Sequence, residues 1–228
     1  MKIKLLILEF SICFGALNST LGQSTFQNLN FEAANPVAVP GNYPEVTVAS
    51  ALPDWSVTLG GVQQTIITYD APAGGSTWVA LIGAGYNGYP GLEGAIDGNY
   101  SVYLQGGLTA SEATISQTGL VPAGTQSLLF EAQPGPGPLD ISVGGQSVLY
   151  TAIGSGPNYT LYAANLSAWA GETEQLSFSA TEGYGGGNNW LLDDISFSTA
   201  PVPEPSIFGL TAFGGLFFAA RRRLKRRP

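Results

Sequence analysis

Residues 127–132, Ser-Leu-Leu-Phe-Glu-Ala, decide the fold. Leu128, Phe130 and Ala132 alternate with Ser127, Leu129 and Glu131, so an extended segment would be apolar on one side and largely polar on the other. Successive side chains of a strand point to opposite faces, and this period of two is that of a strand with one face buried. The pattern recurs where Leu139, Ile141 and Val143 alternate with Asp140 and Ser142, and where Leu176, Phe178 and Ala180 stand opposite Gln175, Ser177 and Ser179. Further strand candidates lie at 26–31, 46–50, 55–59, 65–69, 77–82, 101–105, 112–117, 147–153, 159–163 and 190–198. No body segment keeps a helical apolar period for long without a Gly or Pro. Gly60-Gly61, Asp97-Gly98, Pro122-Ala123-Gly124 and Gly144-Gly145 supply turns. The sum predicts an all-β fold, a sandwich of two packed antiparallel sheets, formed by residues 24–200 as one domain. The Pro-Gly run at 134–138 reads as a rigid loop within it, because the strand pattern resumes at once.

Charge narrows the chemistry. Between residues 24 and 203 there are fourteen Asp or Glu and no Lys or Arg; the eight basic residues of the 228-residue chain sit at its two ends. Without side-chain cations the body cannot displace counterions from a phosphate backbone, so nucleic acid is excluded as its direct partner. There is no histidine, and Cys13 is the single cysteine. Disulfides, His or thiolate metal sites and Ser-His-Asp or Cys-His nucleophiles are thereby excluded from the body. Carboxylate, hydroxyl, amide and aromatic chemistry remains.

Both ends read as targeting segments. Residues 1–22 open with Lys2 and Lys4, continue as an apolar run broken by Glu9, and close in small and polar residues, which predicts a signal helix cut near Gly22. At the other end residues 207–220 carry no charge and precede Arg221, Arg222 and Arg223. Fourteen helical residues span about 21 Å, short of the roughly 30 Å hydrocarbon thickness. Crossing as a transmembrane helix then needs flanking residues and local thinning. The basic cluster would stay on the cytoplasmic side and leave the body outside. A short core helix is the competing reading at each end.

Residues 202–227 resemble the PEP-CTERM sorting signal of exported bacterial proteins, with Val202-Pro203-Glu204-Pro205-Ser206, an apolar helix and a basic end in that order. The resemblance implies an exosortase-type sorting enzyme as partner, membrane attachment through the C-terminal segment, and a cell-surface or extracellular-matrix destination. It makes Pro203, Glu204 and Pro205 sorting residues.

The body resembles the galactose-binding-like, carbohydrate-binding jelly rolls. The residues that carry this are Asn28-Leu-Asn-Phe31-Glu32, Leu52-Pro53-Asp54-Trp55, Ser101-Val102-Tyr103-Leu104-Gln105 and the closing Trp190-Leu-Leu-Asp193-Asp194-Ile195-Ser196-Phe197. Such jelly rolls imply a structural calcium near the first and last strands, for which Glu32, Asp193 and Asp194 are the matching positions. Simple alternation groups Asp193 with Ile195 and Phe197 and turns Asp194 to the other face, so one of the pair would coordinate through its side chain.

Gly83-Ala-Gly85-Tyr86-Asn87-Gly88 mimics a dinucleotide fingerprint, but Tyr89-Pro90-Gly91 breaks the helix that a nucleotide site needs. Residues 83–100 read instead as a long loop on a rigid scaffold, a place where recognition residues gather. Tyr86, Asn87, Tyr89, Asp97, Asn99 and Tyr100 are its candidate glycan-binding residues: tyrosine rings stack on sugar faces while amides and carboxylates bond to hydroxyls. The competing expectation is a tyrosine-rich loop folded against the sheet. Trp55, Trp78, Trp169 and Trp190 have no helical spacing, and at least three should serve packing. The sequons at Asn158 and Asn165 read as ordinary turn and strand residues. The function expected is that of an exported noncatalytic surface or matrix protein, with extracellular polysaccharide as ligand. A purely structural matrix component and a carboxylate-dependent glycoside hydrolase are the alternatives. No acid pair can be nominated for the hydrolase without a geometry.

Overall fold

The computed structural model describes residues 25–42, 44–72, 76–88, 92, 94–107, 110–182 and 187–203. Both predicted end segments therefore lie outside the described residues, apart from Val202 and the exposed Pro203. Among the described residues no helix is long and apolar enough to cross a membrane.

Among the described residues fourteen strands form two sheets: β1 (Glu45–Thr47), β2 (Ser56–Leu59), β3 (Val62–Gln64), β4 (Ile66–Tyr69), β5 (Trp78–Gly83), β6 (Tyr100–Gly107), β7 (Glu112–Leu120), β8 (Ser127–Gln133), β9 (Leu139–Val143), β10 (Gln146–Ser147), β11 (Tyr150–Ser155), β12 (Thr160–Asn165), β13 (Thr173–Thr181) and β14 (Gly187–Ser198). The larger sheet has the order β1-β4-β5-β6-β14-β8-β12-β11, the smaller β10-β9-β13-β7-β2-β3. The β4–β5 pair is parallel and the other named pairings are antiparallel. The predicted all-β sandwich is the observed architecture.

The deciding stretch is β8, central in the larger sheet between β14 and β12. Its apolar side faces the smaller sheet, where Phe130 meets Phe178 of β13 edge-on at a ring-centroid distance of 5.5 Å. Tyr162 of β12 stacks on Phe130 at 5.2 Å, and Tyr150 of β11 closes on both rings from the side at 5.6 and 5.4 Å. The other side of the smaller sheet is lined with hydroxyls. Ser56, Ser116, Ser177, Ser142 and Ser147 align across five strands, with Ser142 and Ser177 bonded at 2.7 Å. This face is polar, while Val57, Ile115 and Phe178 bury the opposite side.

Glycine pairs make the tight hairpins. Gly60 and Gly61 join β2 to β3 and Gly144 and Gly145 join β9 to β10, all four with positive φ, a region glycine enters without a Cβ penalty. Two predicted strands are replaced. Over 26–31 the chain is irregular, because Asn28 and Phe31 adopt φ of 49° and 58° and bend the segment so that Phe31 drops fully into the core against Trp55. Asn28 holds the bend: its Nδ2 donates to the Pro53 carbonyl and its Oδ1 accepts from the Ala33 N–H. Over 46–50 the strand ends at Thr47 and one helical turn, α1 (Val48–Ala51), follows, with the Ser50 hydroxyl donating back to the Thr47 carbonyl. Trp55 and Trp190 are buried in the main core, and Trp78 and Trp169 pack partly buried against the clusters.

Candidate functional site

The outer face of the larger sheet carries a second, smaller apolar cluster. Ala80 and Ile82 of β5, Tyr103 of β6 and Leu191 of β14 contribute from the sheet, while Leu92 and Ile96 come down from the connection between β5 and β6. That connection is the tyrosine-rich loop, so part of it folds against the sheet. Tyr86 packs partly buried on this cluster, whereas Tyr100 opens β6 and packs on the main core, 6.2 Å from the ring of Tyr69. Asn87, Asp97 and Asn99 are exposed, and Tyr89 lies outside the described residues.

Two carboxylates fasten the end of the loop. Glu32 Oε1 accepts from the backbone N–H of Asn99 at 2.7 Å and of Tyr100 at 3.0 Å, and its Oε2 accepts from Asn99 Nδ2 at 2.7 Å. Partial burial pushes this carboxyl up, but the bonds from Asn99 and Tyr100 outweigh it and hold the pKa below the usual value. Gly98 makes the turn with φ of 58°, and a Cβ there would run into the Glu32 carboxylate. From the other side Asp193, 1% exposed, receives the Asp97 N–H at 3.2 Å and the Ser101 hydroxyl at 2.5 Å on Oδ2, and the Asp194 N–H at 2.8 Å on Oδ1. Burial dominates here and pushes Asp193 up to about 7 against those hydrogen bonds, with the nearby Asp194 charge adding to the rise.

The strand that carries Asp193 is kinked. Asp194 has φ of 44° and is exposed, and the register of β14 against β8 shifts between Asp193 and Ser196. This bulge overturns the simple alternation. Asp193 shares the outer face with Leu191, while Ile195 joins Trp190 and Leu192 in the main core.

Glu32, Asp193 and Asp194, the three positions expected to hold calcium, do gather around one turn. The ion needs about six to eight oxygens free to face it. Here N–H and O–H groups point at both oxygens of Glu32 and of Asp193. Among the described residues no group of three His, Cys, Asp or Glu could hold a metal ion. As arranged, Glu32 and Asp193 tie the first segment, the loop and the last strand together through these hydrogen bonds.

A different polar centre lies one strand over. Glu131 of β8 is the Cα partner of Asp193 on one side and of Leu161 on the other, so its side chain rises from the outer face. The carboxyl is hydrogen-bonded by the Tyr159 hydroxyl. Its Oε2 is buried and, among the described residues, has no hydrogen-bond partner. Burial pushes Glu131 up, opposed by the Tyr159 bond and reinforced by the charges of Asp194 and Asp97. Tyr159 is itself pushed up, first by its bond to Glu131. Its ring lies over Gly156, where any Cβ would collide with it, and packs on the outer cluster.

The resulting platform has a carboxylate acceptor, a phenol beside it, Asp97 and Asp194 close enough to be felt, and the exposed Asn87 on the neighbouring loop. Of the residues named from the sequence, Asp97 acts on Glu131 through its charge and Asn87 is exposed on the same loop; Glu131 and Tyr159 were not among those named. Glu131 was visible as an outward residue of an alternating strand, but the neighbours that give it meaning come from β14 and β12. Comparison of the chain with protein-family models finds no matching family, and comparison with curated proteins finds no match.

Proposed function

We propose that this protein is an exported, noncatalytic surface or matrix component that binds glycan on the outer face of its larger sheet, between Glu131, Tyr159 and the loop that ends at Asp97. One observation carries the reading: a buried, unpartnered carboxylate oxygen stands beside an aromatic ring at the edge of a half-covered β surface. An acceptor in that state gains from a hydroxyl donor, since a buried polar atom without a hydrogen bond costs about 1–3 kcal/mol. Sugars offer hydroxyls and an apolar ring face together. An anionic ligand is disfavoured by the carboxylates around it. Export rests on the two end segments, with the PEP-CTERM-like tail, including Pro203, Glu204 and Pro205, supplying sorting by an exosortase-type enzyme and passage through the membrane.

The test is a neutral-polysaccharide and glycan-array screen with the purified protein, followed by titration of the best ligand. Glu131→Gln, which keeps the shape and removes the charge, should weaken binding about tenfold, matching the loss of one charge-assisted hydrogen bond of about 1.5 kcal/mol. Tyr159→Ala should weaken it further. A screen without reproducible ligands, or a ligand indifferent to both substitutions, would return the protein to the purely structural reading. Reducing-sugar release that Glu131→Gln abolishes would instead make it a hydrolase, with the raised pKa of Glu131 suited to a proton donor.

A further inference from the structure

Each sheet has two edges, and the protein treats them differently. At β1 the outer side is already occupied: Ala38 bridges to Val46, the Val39 N–H donates to the Glu45 carbonyl, and Glu45 adds a charge. The edges at β3 and β10 are three and two residues long. At β11 the edge is six residues long, and among the described residues no strand pairs with its outer side. Natural edges are blunted by charge, proline, shortness or a cover. Here the blunting is confined to a register shift between Ala152 and Gly154, which leaves Tyr150–Ala152 regular. Leu149, 93% exposed, leads directly into the strand.

Charge singles out the same edge. The body carries fourteen acids and no base, so two copies repel wherever they meet acid to acid. Residues 141–171, which hold β11 and β12, contain no charged side chain and form the longest such stretch in the body. The edge is also held firm before any partner arrives. Tyr150 is locked from inside by Phe130, Tyr162 and Trp190, with centroids at 5.6, 5.4 and 6.3 Å. A pre-ordered strand loses little entropy on pairing.

We propose that β11 is a self-association edge, pairing antiparallel with β11 of a second copy to join two larger sheets into one continuous sheet. Centred on Thr151, the register sets Thr151 across from its own copy and Tyr150 of each chain across from Ala152 of the other. These are a hydroxyl pair and two apolar pairs of the kind that stabilise adjoining strands. The contact is isologous, as a two-fold dimer requires.

Sedimentation of the full-length chain in a mild detergent provides the test. Wild type should run as a dimer. Thr151→Lys and Thr151→Glu should each run as monomers, because each sets like charges face to face, and a one-to-one mixture of the two should recover the dimer. Val62→Lys, on the exposed edge at β3, should leave the dimer intact. Position is read separately with a short bis-maleimide in a Cys13→Ser background, where Thr151→Cys should cross-link and Val62→Cys should not. A wild type that stays monomeric, as it would if its own end segments covered the edge, overturns the proposal. Association unchanged by both charged variants, or cross-linking as efficient at position 62 as at 151, overturns it too.

Discussion

Glu32 and Asp193 grip the same turn with carboxyls that titrate in opposite directions. Asp193 is pushed from 3.8 up to about 7 by burial, so the folded state binds its proton more tightly than the unfolded chain does. Its contribution to stability is complete below pH 3.8 and is lost as the pH rises through about 7. Glu32 lies below its ordinary 4.5, so its contribution is present above that value and is lost as the pH falls through its lower folded pKa. Glu131, raised mainly by burial, sides with Asp193. The thermal midpoint should therefore be highest near pH 4.5, decline as the pH rises to about 7, and level off above that, where Asp193 is ionised in both states. Asp193→Asn should flatten that decline. Glu32→Gln should destabilise throughout the range above pH 5 by about 1–2 kcal/mol for its weakened bonds, lowering the midpoint by roughly 2–8 °C. Scanning calorimetry across this range decides it, and a wild-type profile flat from pH 5 to 8 would contradict the assignment of Asp193.

At the scale of the element, the bulge in β14 is what allows one strand to serve two faces. Trp190 and Leu192 point into the main core, Asp193 points out to the loop, and after the extra residue Ile195 points in again. Asp194→Val, whose β-branched side chain resists the positive φ, would press the strand toward strict alternation and turn Ile195 out of the core, so it should destabilise by at least the roughly 1–2 kcal/mol of a non-glycine left-handed residue. Asp194→Gly should instead be tolerated or stabilising by about 0.5–1 kcal/mol, since glycine adopts positive φ freely and a repelling charge beside Asp193 and Glu131 is removed. Urea unfolding of the two variants separates these outcomes. The bulge also marks the limit of what the sequence discloses. Period-two alternation made β8, β9 and β13 legible, and the paired glycines at 60–61 and 144–145 announced their hairpins. A bulge, however, reads as an ordinary strand until its neighbours are known, and the three residues of β3 are too few for a period. In the candidate site the carboxylates flanking the loop could be named from the sequence, but the pairing that sets Glu131 beside Asp193 joins residues far apart in the chain and leaves no local trace.

For the whole molecule the governing fact is the absence of any cation among residues 25–203. No carboxylate there can be offset by a salt bridge within the body, and those that are satisfied rely on N–H and O–H donors, as Glu32 and Asp193 do. The apolar core must hold the fold against the mutual repulsion of the acids. Salt therefore acts in one direction. The screening length falls from about 30 Å at 0.01 M to about 3 Å at 1 M, which removes the long-range repulsion while leaving short, partly buried hydrogen bonds in place. Where surface ion pairs dominate, added salt weakens the native state. Here sodium chloride should raise the melting temperature steadily over that range, and the same screening should tighten the β11 dimer. Potassium chloride should match it at equal ionic strength, because screening depends on charge density and not on a specific ion. Melting curves in both salts, with sedimentation at the same concentrations, measure the two effects together. A midpoint that falls with salt would mean that attractive rather than repulsive electrostatics hold the sandwich, which a body without a single basic side chain has no means to supply.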